Sequence, residues 1–200
     1  ICLVVAAPQP GAARVVLVNK PGAQQTALAV VAPGPRADVP DAAAIKVMNA
    51  ALGGLFTSRI NTQLREVKGY TYGIYSGYSM SRDSGMFAIR GSVRTDVTSA
   101  ALVDMFKEIR DMRAKPMGAA ELNRVRNAQL LALPGLFDTN RVVASSYASE
   151  WALGQPADSI VKLPSRYAAV NAQSAYRAIQ MHLDPDALIV VAVGDQAKVL

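Results

Sequence analysis

A short apolar segment close to the C-terminus constrains the fold more than any other feature. Every residue from 187 to 193 is apolar, and Gly194 and Asp195 follow directly. An unbroken apolar run of this length, closed by turn-forming residues, is typical of a strand buried in the centre of a sheet. A long region of helical pattern precedes it, so the chain must return to its sheet after building its helices.

The other strands are predicted in the first half of the chain. Residues 14–19 are rich in β-branched side chains and end at a Lys-Pro-Gly turn, and residues 26–31 form a second candidate. Residues 72–80 and 86–93 alternate around a polar turn, which is typical of a hairpin. Strand pairs, a block of helices and one last strand predict an α+β fold. We expect a two-layer sandwich whose largely antiparallel sheet carries its helices on one face.

Two helices are predicted between these strand pairs. Capping residues and a proline at 38–41 begin the first, and Gly53 and Gly54 are expected to break it. The second helix is expected to end at Gly69, where a C-terminal glycine cap belongs. Its apolar stripe is formed by Phe56, Ile60 and Leu64.

The composition predicts one well-packed domain over residues 1–200, with its core at about 14–195. Hydrophobic residues make up 51% of the chain and charged residues 18%, which excludes a disordered protein. No apolar run approaches the roughly 18 residues of a membrane span, and residues 1–7 are interpreted as an early strand. Cys2 is the one cysteine, so cysteine content leaves the compartment open.

The formal charge of +6 raises the alternative of a nucleic-acid-binding module. Its basic residues are scattered, without long runs and without regularly interleaved aromatic residues, so a solvated basic surface is favoured. We therefore expect no nucleic-acid partner.

The residues of a catalytic centre are missing from the sequence. A catalytic zinc needs about three protein ligands, whereas His182 is the one histidine and neither HExxH nor HxxEH can be written. His182 lies near the end of a predicted helix, where a structural role is favoured. There is no GxSxG elbow and no phosphate-binding loop. We expect neither a catalytic residue nor a metal site in this chain.

Arg65 and Tyr72 stand at a predicted helix–strand junction, separated by the helix-ending Gly69. Arginine offers a rigid fork of donors and tyrosine one hydroxyl on a stiff arm, so together they could bind a peptide backbone or an oxyanion. The alternative is a solvated helix charge at Arg65 and a strand face of core or half-buried residues. That face would comprise Tyr70, Tyr72, Ile74, Tyr78 and Met80.

The surrounding sequence resembles the C-terminal, zinc-free domain of the pitrilysin/insulinase family of metallopeptidases. Residues 47–64 read VMNAALGGLFTSRINTQL and lead directly into REVKGYTY at 65–72. Weaker landmarks agree, namely KPGAQQ at 20–25, Glu121 and Leu122 at the start of a long helix, and residues 190–195. The resemblance extends over residues 14–195, and the segment 52–72 is its specific part.

This resemblance implies a division of labour. A second domain or subunit with an HxxEH motif would carry the zinc and the general base. Arg65 and Tyr72 match the pair that binds the peptide substrate's backbone and helps to stabilise the transition state across a chamber. The alternative is a scaffold or assembly subunit of the same fold without peptidase activity. A bacterial, periplasmic setting is favoured.

Overall fold

A computed structural model describes residues 11–199. Its strands are β1 (Arg14–Asn19), β2 (Gln25–Gly34), β3 (Ile74–Met80), β4 (Gly85–Arg94) and β5 (Ile189–Gly194). Its helices are α1 (Ala42–Asn49), α2 (Arg59–Asn61), α3 (Thr98–Ala114), α4 (Ala119–Ala132), α5 (Asn140–Ala152), α6 (Leu163–Ala168), α7 (Ala172–His182) and α8 (Gln196–Val199). Cys2 and the early strand predicted at residues 1–7 lie outside the described residues.

The five strands form one open sheet in the order β1-β5-β2-β4-β3. Only β1 and β5 run parallel; the pairings β5–β2, β2–β4 and β4–β3 are antiparallel. β2 and β4 are the longest strands, and β1 and β3 form the two edges of the sheet. The predicted α+β class with a largely antiparallel sheet is confirmed.

One face of the sheet is covered by helices. Val30, Ile89 and Ser76 occupy one row across β2, β4 and β3, and all three are buried. α1, α2 and α3 pack on this side, and their apolar side chains join those of the strands in one core cluster. The predicted arrangement of helices on one face of the sheet is therefore confirmed.

The opposite face remains open. The next row crosses the sheet through Val16, Val191, Ala29, Arg90 and Tyr75. Val16 is 44% exposed and Tyr75 is 45% exposed. The apolar run of β5 does occupy an interior position, but its side chains alternate between buried and half-buried. The predicted central position of this strand in the sheet is therefore confirmed, whereas its full burial is not.

The first helix ends at the two glycines that were expected to break it. α1 passes into a π-helical turn at Ala50–Gly54, and the backbone becomes extended at Leu55. Gly53 is buried, and a Cβ placed there would lie 2.5 Å from the Oγ of Ser76 on β3. Close approach of the helix to the sheet is a further reason for a glycine at position 53. Within residues 11–199, none of the helices is long and apolar enough to cross a membrane.

Candidate functional site

Arg65 lies on a π-helical turn. α2 is short and continues at once into this wider turn, Thr62–Val67. Such turns are rare, and they occur frequently at functional sites. Leu64 is fully buried and fixes the turn to the core, whereas the Arg65 side chain is 31% exposed to solvent. The packing therefore presents the neighbouring arginine at the surface.

Two side chains hold the guanidinium of Arg65. Its Cζ lies 4.1 Å from the centroid of the Phe56 ring, in cation–π geometry. Its Nη1 donates a 2.7 Å hydrogen bond to Oε1 of Glu66. Phe56 was predicted to lie on the apolar stripe of this helix, but the helix begins only at Arg59 and Phe56 is 53% exposed. That prediction is wrong, and the sequence spacing offered no signal for the stacking.

Gly69 ends the helix as predicted. Its φ of +62° lies in the left-handed region that favours glycine. The Gly69 amide donates to the Arg65 carbonyl at 3.1 Å, and the Tyr70 amide donates to the Leu64 carbonyl at 2.8 Å. These bonds close the π turn and direct the chain towards the sheet.

Tyr72 is carried by a short anchored segment, not by the strand. β3 begins at Ile74, and the Tyr72 side chain is 91% exposed. Thr71 Oγ1 accepts from the Gly73 amide at 3.0 Å and donates to the Ser92 carbonyl at 2.6 Å. The interpretation of Tyr72 as a core or half-buried strand residue is therefore wrong, since its backbone is fixed while its ring faces solvent.

The structure brings Arg65 and Tyr72 into one groove of about 630 Å³. The groove is also lined by Gln24, Gln25, Glu66, Gly69, Tyr70, Thr71 and Arg94. The Arg94 amide donates to the Tyr70 carbonyl at 3.0 Å, and its guanidinium pairs with exposed Asp96 at 3.2 Å. Sequence reasoning did not identify Gln24, Gln25 or Arg94, because β2 and β4 reach this groove only through sheet pairing.

A salt bridge fixes the start of α2 to α4. Arg59 donates from Nε and Nη2 to the two carboxylate oxygens of Glu121, at 2.7 and 2.6 Å. The hydrogen bond to Glu121 raises the pKa of Arg59, and burial opposes this effect. Arg124 of α4 donates to the Thr57 carbonyl at 3.0 Å. These bonds tie the loop that carries Phe56 to a long helix.

The described residues do not fit a zinc site. Among residues 11–199, no group of three or more His, Cys, Asp and Glu side chains could hold a metal ion. His182 Nε2 instead lies 2.8 Å from Oδ2 of Asp41, the residue that precedes α1. Tyr78 donates its hydroxyl to the His182 carbonyl at 3.3 Å, and burial raises the pKa of Tyr78. His182 therefore joins α7 to α1 and β3.

Solved structures share this fold. The chain matches the peptidase M16 inactive domain from Pseudomonas fluorescens with a TM-score of 0.88 and 22% identity, covering 98% of this chain and 47% of that chain. It matches a chain of complex III from Candida albicans with a TM-score of 0.78 and 14% identity, covering 94% and 47% respectively. It matches the inactive domain of a zinc-protease candidate from Bordetella parapertussis with a TM-score of 0.74 and 17% identity, covering 86% and 93%.

The chain spans under half the length of the first solved structures that it matches. No curated protein matches it. The family model described as "Peptidase M16 inactive domain" matches residues 3–129, which is more than half of the chain. This protein therefore belongs to the M16, or pitrilysin, family of zinc peptidases, as one of its inactive domains.

Proposed function

We propose that this domain binds the peptide substrate of a zinc peptidase and supports the transition state across a chamber from an HxxEH-bearing domain or subunit. Arg65 and Tyr72 would donate hydrogen bonds to backbone carbonyls of the peptide. As the attacked carbonyl oxygen becomes negative, donors that are already oriented stabilise it without further reorganisation. The chain contributes binding and orientation, and the partner contributes the zinc.

The shared groove is the observation that carries this proposal. Arg65 and Tyr72 belong to different structural segments, yet both line it. Arg65 is held by a stacked ring and a carboxylate, and the backbone on both sides of Tyr72 is fixed by hydrogen bonds. A held guanidinium and a tyrosine on a fixed backbone lose less conformational entropy when a peptide binds than fully mobile surface residues do.

The proposed partner accounts for what the described residues lack. They offer no ligand cluster for zinc. The match also covers less than half of the length of the first matching structures. An HxxEH domain on the same polypeptide or on a second chain would supply the metal and the general base.

Peptide hydrolysis by the domain together with its zinc-bearing partner tests the proposal. Arg65→Ala and Tyr72→Phe should each lower kcat/KM, because the loss of one positioned donor typically costs about 2.7–4 kcal/mol. Exposed residues outside the groove provide matched controls, Arg177→Ala and Tyr147→Phe, which should retain the rate. Full activity in both groove variants would refute the assigned roles.

A scaffold function is the second candidate, favoured by the structural similarity to a chain of a respiratory complex. A scaffold would bind its partner subunit equally well with Arg65 and Tyr72 replaced, and the assembly would show no peptidase activity. Measuring partner binding and peptide hydrolysis on the same preparations separates the two functions.

A further inference from the structure

We propose that Phe56 is a positioning residue, whose ring holds the Arg65 guanidinium in the orientation that binds a substrate carbonyl. This inference rests on the proposed function of Arg65 and adds to it the element that orients the arginine. Phe56 does not line the groove, and the ring lies at the guanidinium itself, 4.1 Å from its Cζ.

The loop that carries Phe56 is fixed on both sides of the ring. The Ser58 amide donates to the Leu55 carbonyl at 3.0 Å, and Asn61 Nδ2 donates to the same carbonyl at 3.3 Å. Arg124 donates to the carbonyl and hydroxyl of Thr57, at 3.0 and 2.7 Å. The ring is thus part of a preformed surface. It is 53% exposed and does not belong to the buried core.

Stacking leaves one edge of the guanidinium for a ligand. A ring below a guanidinium restricts it to one plane, and Glu66 engages Nη1. Among the side-chain hydrogen bonds of residues 11–199, Arg65 makes only this one, so Nε and Nη2 remain as donors in that plane. Two parallel donors suit a carbonyl or carboxylate oxygen of an extended peptide. Without the ring, the long side chain would have to be ordered at each binding event.

The stacking can be tested without any peptidase activity. In the 200-residue chain, the Nε–Hε resonance of Arg65 is assigned by its loss in Arg65→Lys. The ring should shift this resonance upfield. Phe56→Leu should return it to the position of an exposed arginine, and Phe56→Tyr should restore the shift. Phe137→Leu is the matched control, because Phe137 is 49% exposed and carries no stacked cation among the described residues. A resonance that stays in place in Phe56→Leu would overturn the proposal.

Kinetics with the zinc-bearing partner test the positioning role. Phe56→Leu should lower kcat/KM about two- to fivefold, the effect of losing an exposed cation–π contact, and Phe56→Tyr should recover most of it. In an Arg65→Ala background, Phe56→Leu should have no further effect. Equal losses in both backgrounds would contradict positioning through Arg65. If Arg65→Ala itself retains full activity while the resonance moves as expected, the stacking stands and the proposed function fails.

Discussion

The Asn61 side chain joins the helix of Arg65 to the strand that follows Tyr72. Its Oδ1 accepts from the Ile74 amide at 3.0 Å, at the first residue of β3. Its Nδ2 donates to the Leu55 carbonyl, and the residue is fully buried. One amide therefore fixes the loop of Phe56 and the end of the Tyr72 segment together.

Replacing Asn61 by alanine should destabilise the fold. The buried Ile74 amide would lose its acceptor, and an unsatisfied buried donor costs about 1–3 kcal/mol. Urea unfolding followed by circular dichroism measures the free energy of unfolding. Asn127→Ala, at an exposed position of α4, should change it by less than about 0.5 kcal/mol. Equal stability of the two variants would show that Asn61 does not anchor β3.

Gly53→Ala should destabilise the contact between α1 and β3. The added Cβ would lie 2.5 Å from the Ser76 Oγ and 3.1 Å from the Ser76 backbone nitrogen, so the helix or the strand must move. Overpacking of this kind typically costs about 1–3 kcal/mol. Gly77→Ala is the control on β3, since a Cβ there meets no atom within 4 Å. Thermal unfolding should show a lower Tm for Gly53→Ala than for Gly77→Ala, and the reverse order would be inconsistent with the close packing.

The sequence pattern predicts the layout of this fold better than its details. Gly69 and the hairpin between β3 and β4 follow from local turn chemistry, so their places were predictable. The half-buried side chains of β5 were not, although helices on one face of the sheet were predicted. An unbroken apolar run indicates that a strand lies inside a sheet, but it does not indicate which of the strand's side chains the helices cover.

The residues of the candidate site could also be predicted only in part. Arg65 and Tyr72 could be selected from residue type and resemblance. Phe56 and Arg94 could not, since their places beside Arg65 and Tyr70 depend on a loop conformation and on strand register. The exposure of Tyr72 could not be predicted either, because the alternating sequence pattern begins at residue 72, before the strand itself begins at Ile74.

Glu66 helps to hold Arg65 in the groove. The Arg65–Glu66 pair is partly exposed, so it contributes at most about 1 kcal/mol. Glu66→Gln should weaken this pair and lower kcat/KM by up to about fivefold in peptide hydrolysis with the zinc-bearing partner, because Arg65 would be held less firmly. Glu150→Gln, away from the groove, serves as the charge-matched control. An unchanged or higher kcat/KM in Glu66→Gln would mean instead that the carboxylate does not orient Arg65 for the peptide.

Glu108 should make stability depend on pH. Burial raises its pKa above the ordinary value of 4.5, partly opposed by Arg59 and Lys107. The folded state then holds this proton more tightly than the unfolded state, so Glu108 lowers stability as pH rises above about 4.5. Glu108→Gln should remove this loss. Because solvent screens this partly exposed carboxylate, the gain at pH 7 should not exceed about 0.5 kcal/mol, with little difference near pH 4.

Urea unfolding at several pH values measures this effect. Asp138→Asn, at an exposed position, is the control for the loss of one carboxylate. If the Glu108→Gln profile runs parallel to that of the unmodified chain, burial of Glu108 does not perturb its protonation.

A double-mutant cycle on Arg65 and Tyr72 tests the central claim most directly. The unmodified chain, Arg65→Ala, Tyr72→Phe and the double variant are each combined with the zinc-bearing partner, and kcat/KM is measured for one peptide. Because both donors are proposed to hold one backbone in one groove, their losses should be coupled by about 0.5–3 kcal/mol. Two single variants that retain full activity, or two losses that simply add, would contradict a shared substrate site.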